Sequence, residues 1–269
     1  MTTDTPLVTD EQIAFFREHG YLHYGPLFTE QEKQELRDEI QAFIDDKYPD
    51  CYRTDLWTRD GEAQQPRGKE RFLQMCGLFN HSDVIKKYAV QRKRGEIVAR
   101  LVGCDSIQLL SDMILYKPPG KGNSRPSIWH QDYPSGPNTE PDITSWMPLD
   151  DVDETNGCMQ YLPGTQKFGE LTPPGQENRE NYEKAGIDFS NPAIVPMKAG
   201  EVVFHHSNII HYSSENISER PRRVYITRFM PGTARYRWRA EIEHLYEGWN
   251  LKQRQGQPFP ADEFPMVYQ

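Results

Sequence analysis

Past residue 106 the chain breaks into short extended segments separated by turn signals, with no helix-length crossover between them. Ile107 to Lys117 has strand composition and stops at Pro118-Pro119-Gly120. Ile128 to Tyr133 is short and extended. Ile143 to Leu149 ends in the acidic turn Asp150-Asp151-Val152-Asp153, and Gly157 to Leu162 is closed by Pro163-Gly164-Thr165. Ala193 to Met197, Glu201 to His206, Ile209 to Ser213 and Arg222 to Phe229 follow. About eight short strands spaced in this way favour a sandwich or a jelly-roll barrel. Parallel α/β sheets need long crossovers, and those are missing.

The front of the chain is helical. Residues 9–19 predict a short helix capped by Thr9 or Asp10, and residues 21–28 an extended segment. Residues 30–45 predict a second helix. Thr29 with Glu32 three residues on forms a capping box, and Leu36, Ile40, Phe43 and Ile44 make a helical stripe. Residues 47–70 are polar, contain Pro49 and Pro66, and read as a long loop. Helices return at 83–90 and 94–102, and a second long loop spans 166–191. The expected organisation is a single domain over residues 1–269. It has a helical N-terminal part (about 1–104), a mainly β jelly-roll, cupin-like core (about 105–231) and a C-terminal extension (232–269).

Bulk charge narrows the partners. The formal net charge is −9 over 269 residues, which opposes long-range attraction to nucleic acid or an anionic membrane. No apolar run approaches the roughly 18 residues of a membrane span. The N-terminal Met-Thr-Thr-Asp-Thr-Pro-Leu-Val-Thr-Asp has neither basic nor apolar region, and Met266-Val267-Tyr268-Gln269 is not a peroxisomal address. Cys51, Cys76, Cys104 and Cys158 form no Cys-x-x-Cys pair. They read as reduced thiols of a cytoplasmic protein, with Cys158 in the core. A small-molecule substrate and a monomer or homodimer are expected.

Two His-x-Asp motifs occur. His81-Ser82-Asp83 precedes a helical stretch and reads as a helix start, with Ser82 or Asp83 capping it. His130-Gln131-Asp132 lies on an extended segment after Ile128-Trp129, where residues two apart share a face. A two-histidine-one-carboxylate iron site needs one more imidazole on the same side of the metal. His205, His206 and His211 are the candidates in the back half. His205 and His206 are neighbours on one strand, so at most one faces inward.

His130-Gln-Asp132, Ile143-Thr-Ser-Trp146, Leu149-Asp-Asp-Val-Asp153, Asn156-Gly-Cys158 and Leu162-Pro-Gly-Thr165 together resemble the phytanoyl-CoA dioxygenase family. So do Ala199-Gly-Glu-Val-Val-Phe-His-His206, His211-Tyr-Ser213 and Arg220-Pro-Arg-Arg223. The resemblance covers roughly residues 106–230. It implies a double-stranded β-helix that uses iron(II), 2-oxoglutarate and O2. It makes His130, Asp132 and His211 the iron ligands and Arg222 the partner of the distal carboxylate of 2-oxoglutarate. Ser213 would support that arginine, Trp146 would lie beside the cosubstrate, and Lys117 would approach it. A planar guanidinium fork suits a carboxylate. Arg222 and Arg223 must split between the two sides of their strand. His206 is expected beside the metal ligands or in the core, with His205 facing the other way.

Related halogenases carry a small residue in place of Asp132, so its presence implies oxygenation, most simply hydroxylation of an unactivated C–H bond, with desaturation, ring formation and peroxide insertion left open to the same oxidant. A cupin-type metalloenzyme without 2-oxoglutarate and a non-catalytic binding module remain the alternatives. The Asp150-Asp151-Asp153 cluster reads as a solvated turn, since it lacks the ligand order of a calcium loop. Loops 47–75, 118–127, 134–141 and 166–191 are candidates for the pocket rim. Arg235, Arg237 and Arg239, interleaved with Tyr236 and Trp238, could meet an anionic group, but read first as a surface strand with snorkelling arginines.

Overall fold

The computed structural model describes residues 7–56 and 66–269. The first six residues, and residues 57–65 of the expected loops at 47–70 and 47–75, lie outside the described part. The front half holds helices α1 (Asp10–His19), α2 (Glu30–Ile44), α3 (Asp83–Ala89) and α4 (Arg92–Val102), with strands β1 (Tyr21–Pro26), β2 (Tyr52–Asp55) and β3 (Leu73–Cys76) among them. The back half carries β4 (Ile107–Lys117), β5 (Ile143–Pro148), β6 (Met159–Tyr161), helix α5 (Arg179–Lys184), β7 (Ala193–Val195), β8 (Glu201–His206), β9 (His211–Ser213) and β10 (Arg222–Pro231). Helix α6 (Leu251–Arg254) and β11 (Met266–Tyr268) end the chain.

Local chemistry places the first elements. Thr9 caps α1 and Thr29 caps α2, each with a reciprocal bond from the glutamine or glutamate at the third helical position. Ser82 caps α3, accepting from the Ile85 amide at 3.3 Å, so His81-Ser82-Asp83 is a helix start as expected. Gly20 ends α1 with φ 81°, and a Cβ there would sit 2.3 Å from the Gln166 side chain. That close approach lets α1 pass directly into β1.

The sheets are antiparallel. The large one runs β1-β8-β5-β10-β4-β3-β2, with β11 added to β4, and the small one runs β7-β6-β9. They face each other as a jelly-roll. Period-two alternation sorts each strand of the large sheet. On β8, Val202 and Phe204 pack with the helices, while Val203 packs with the lumen-side residues Trp146, Tyr161 and Ile226. On β10, Tyr225 and Phe229 face the helices and Val224 and Ile226 face the lumen. The larger core therefore lies between helices and sheet, and a smaller one lies between the sheets.

Four expectations change. Residues 52–55 form a strand rather than loop. Tyr52-Arg53-Thr54-Asp55 has no apolar alternation, and it is ordered by pairing with β3 at the sheet edge. Residues 128–133 are not a ladder strand. Their regular pairing is one bridge at His130, and a 3-10 turn then begins at Tyr133. The loop at 166–191 includes α5, capped by the Asn178 side chain. The C-terminal extension is not merely appended: β11 pairs with β4, and Phe259 and Phe264 pack with Leu110 and Met230. Among the described residues no helix is long and apolar enough to cross a membrane.

Two buried ionic groups brace the large sheet. Asp112 on β4 accepts from the Tyr225 hydroxyl and the Phe79 amide, each at 3.1 Å. Burial pushes its carboxyl up to about 7 despite these bonds. Arg228 on β10 makes a two-pronged pair with fully buried Asp142, at 2.7 and 3.0 Å.

An acid with a raised folded pKa binds more protons folded than unfolded. Its contribution is therefore most favourable below the ordinary 3.8 and declines as pH rises toward about 7. Urea midpoints of the wild type should fall relative to Asp112→Asn across that window, and a pH-independent difference would contradict this. Asp142→Ala strands Arg228 as a buried unpaired cation and should cost about 3–5 kcal/mol in urea unfolding. A loss near zero would show that water already solvates the pair.

Candidate active site

The chain crosses itself at His130 and His211. The His130 amide donates to the His211 carbonyl at 3.1 Å, and the His211 amide donates back at 3.0 Å. That reciprocal bridge sets the two rings 4.1 Å apart, centroid to centroid. In each ring Nδ1 lies beside the carbonyl two residues earlier. The distances are 2.8 Å to Ile128 and 3.0 Å to Ile209. A carbonyl only accepts, so each Nδ1 carries the proton and each Nε2 presents its lone pair inward.

Asp132 is brought in by its backbone, whose amide donates to the Ser207 carbonyl at 2.8 Å. It stands at the start of the 3-10 turn with helical dihedrals, not on a strand. The shared face expected from strand alternation is reached by a turn instead. Its Oδ1 is 3.5 Å from His130 Nε2 and 3.7 Å from His211 Nε2. Ligand atoms of all three residues lie within 4.8 Å of one another, in the one such His, Cys, Asp or Glu cluster found among the described residues. Two neutral imidazole nitrogens and a carboxylate oxygen converging from one side fit a divalent iron ion.

Electrostatics treat the two rings differently: burial opposes a charged His130, but Asp132 beside it outweighs that and raises it above the ordinary imidazole range. Burial, then the neighbouring His130, hold His211 well below the ordinary imidazole range. Burial favours a neutral Asp132, but His211, His130 and His205 outweigh it and hold the carboxyl well below its usual range. The middle residue of the motif anchors it from outside. Gln131 donates to the Gly169 and Asn208 carbonyls at 2.8 and 2.6 Å and accepts from the Leu171 amide at 3.0 Å.

A cationic end lies two residues along β9. His211 and Ser213 are both buried, and Ser213 Oγ accepts from Lys117 Nζ at 2.9 Å and Arg222 Nη2 at 3.1 Å. Lys117 and Arg222 sit directly opposite each other in the β4–β10 ladder, both fully buried. The Arg222 guanidinium lies 5.6 Å from the ring centres of both Trp146 and Phe72. Lys117 also donates to the Ser213 and Ser214 carbonyls. Burial lowers Arg222 to about 9 and, with Arg222 beside it, brings Lys117 well below the ordinary lysine range. Neither cation has a carboxylate within ion-pair distance among the described residues. Arg223, on the other side of the strand, pairs with Asp150 at 2.5 Å, as alternation requires.

The structure thus brings His130, Asp132 and His211 together, and places Lys117, Trp146, Ser213 and Arg222 together. It reverses one expectation. His205, not His206, faces the site. His205 is buried 3.6 Å from Asp132 Oδ2, whereas His206 lies on the other side and accepts from the Asn208 amide at 3.0 Å. Val203 packs inside the barrel, and alternation carries His205 to the same face. That signal was present in Val202-Val203-Phe204. Thr144 and Tyr161 were not singled out either. Their identities carry no signal, and only the ladder opposite His205 and His211 brings them close.

The other polar clusters are structural. Asp150, Asp151 and Asp153 pair separately with Arg223, Lys198 and Arg220. Arg237 lies 4.1 Å from the Tyr133 ring centre and donates to the Gly136 carbonyl, and Arg239 pairs with Glu170 at 2.5 and 2.7 Å. These two arginines tie down the loops flanking Asp132 rather than snorkelling freely.

Comparison with known proteins follows the same lines. Residues 16–224 match the family model described as phytanoyl-CoA dioxygenase (PhyH). The chain is 27% identical over 240 residues to the peroxisomal phytanoyl-CoA dioxygenase of Mus musculus, covering 85% of this chain and 70% of that one. Among solved structures it resembles the epimerase SnoN in complex with Fe3+, alpha ketoglutarate and nogalamycin RO. There the TM-score is 0.81 and identity 22%, covering 96% of this chain and 98% of that one. It also resembles the alpha ketoglutarate dependent carbocyclase SnoK from nogalamycin biosynthesis, with TM-score 0.79 and 23% identity, covering 98% of each chain. With a family model spanning most of its length, this chain belongs to the phytanoyl-CoA dioxygenase family.

Proposed function

We propose that this dioxygenase-family enzyme hydroxylates an unactivated C–H bond of a small metabolite or natural-product intermediate, turning 2-oxoglutarate into succinate and CO2. His130, Asp132 and His211 are the iron(II) ligands in this reading. The observation that carries it is the pairing of two elements on one short strand. His211 belongs to the three-residue donor cluster, and Ser213 belongs to the buried cationic pair.

Bound iron(II), with 2-oxoglutarate and O2, supplies the oxidising chemistry. The chain's own residues bind, orient and enclose. The Ile128 and Ile209 carbonyls hold the imidazoles with Nε2 inward. The Arg222 fork, fixed through Ser213, donates to a carboxylate, and Lys117 holds Ser213 in place with its donors given to Ser213 and Ser214. An anion there would neutralise the buried pair, whose present supports are a hydroxyl, carbonyls and aromatic faces. Trp146 forms an apolar wall beside the fork. The intact carboxylate of Asp132 favours hydroxylation over halogenation. The structural neighbours SnoN and SnoK come from nogalamycin biosynthesis, which supports a natural-product intermediate as substrate. The net charge of −9 disfavours nucleic acid. All four cysteines are free thiols, consistent with a cytoplasmic setting.

Iron(II) and then 2-oxoglutarate, added without oxygen to the metal-free protein, should produce a weak visible charge-transfer band. The band should require both components and vanish in Asp132→Ala and His211→Ala. No band from folded, metal-loaded protein would favour a cupin-type enzyme without 2-oxoglutarate. Arg222→Ala should raise the 2-oxoglutarate concentration giving half the band by roughly 10- to 150-fold, the equivalent of about 1.5–3 kcal/mol for hydrogen bonds to a charged group. An unchanged titration would remove Arg222 from the cosubstrate site.

A further inference from the structure

The two oxygens of Asp132 meet different surroundings. Oδ1 faces His130 and His211. Oδ2 faces away from that cluster, toward a cross-strand pair. Thr144 on β5 and His205 on β8 are directly opposite in the ladder. The Thr144 hydroxyl donates to Oδ2 at 3.3 Å, and His205 Nε2 stands 3.6 Å from the same oxygen. Behind His205, the Tyr161 hydroxyl lies 3.0 Å from Nδ1. Tyr161 is fully buried and stacks on Tyr21, with ring centres 4.8 Å apart and planes 8° from parallel.

One arrangement of protons satisfies all three groups. The phenol donates to Nδ1, so Nε2 bears the imidazole hydrogen and points it at Oδ2. His205 Nε2 is buried without a hydrogen-bond partner at bonding distance. A carboxylate drawn about half an ångström toward the ring completes the bond. His205 is not part of the donor cluster. It supports a ligand instead of being one.

We infer that Tyr161 and His205, with Thr144, form a positioning chain that occupies Asp132 Oδ2 and leaves Oδ1 alone for the metal. The inference rests on the reading of Asp132 as a ligand. A two-histidine-one-carboxylate site keeps open positions only while its carboxylate binds through one oxygen. A carboxylate free to rotate would bring both oxygens to the ion and close one of them. The chain is anchored in the barrel wall, because Tyr161 is gripped by Tyr21 on β1 and by its pairing with His211 on β9.

Cobalt(II) is the probe, titrated into metal-free protein by calorimetry and followed by its visible d–d spectrum. His205→Leu should weaken cobalt binding roughly 10- to 100-fold, as loss of an outer partner does, and should change the spectrum. His205→Gln, whose amide can donate from the same place, should restore most of both. Tyr161→Phe keeps the stacked ring, so it should give a smaller loss with the same direction of spectral change. It decides the matter if His205→Leu does not fold. Wild-type affinity and spectrum in His205→Leu and Tyr161→Phe would overturn the inference. So would equal losses in His205→Leu and His205→Gln with no spectral change. His211→Ala separates the two levels. Cobalt binding that survives it would overturn the ligand reading and the inference together, while its loss leaves the His205 variants to decide.

Discussion

Two backbone hydrogen bonds between His130 and His211 are the constraint on which the site depends. They join the loop before the 3-10 turn to the short strand β9, closing the barrel where the small sheet would otherwise end. Because the bridge is made of backbone groups, it holds whichever side chains occupy it. The rings then have little freedom: each Nδ1 is tied to a carbonyl of its own chain segment, which leaves each Nε2 as the inward atom. Asp132 joins them through the Ser207 carbonyl. Three ligand candidates are therefore positioned by main-chain bonds, the least mutable kind of support.

The lumen is polar in an ordered way. Donor atoms converge beside His211, and two residues farther along β9 the lining turns cationic. Lys117 and Arg222 hold their positions through Ser213, through carbonyls and through aromatic faces rather than through carboxylates. Elsewhere in the barrel wall, Arg228 is neutralised by Asp142.

The outer elements serve this interior. Capped helices cover one face of the large sheet, and that larger core fixes which residues of β8 and β10 look inward. The C-terminal extension adds a strand to β4 and ties down the loops around Asp132 through Arg237 and Arg239. Loops that carry function need such anchoring, since they have no ladder of their own.

The residue pattern alone was enough for the β-rich architecture, the capped helices, the His-x-Asp motif and the split of Arg222 and Arg223 to opposite sides of their strand. Each depends on short-range physics: side-chain period, capping bonds, turn residues and the strict alternation of neighbours on a strand. Tertiary structure decided what depends on chain segments far apart. Asp132 reaches the site through a turn, not a strand. His205 faces inward because β8 sits between β1 and β5 with Val203 in the barrel. Residues 52–55 become a strand because β3 offers them an edge. Thr144 and Tyr161 acquire their places from ladder partners more than a dozen residues away. A sequence states the period of a strand, but the register that sets which side chains meet is closed only when the sheets pack.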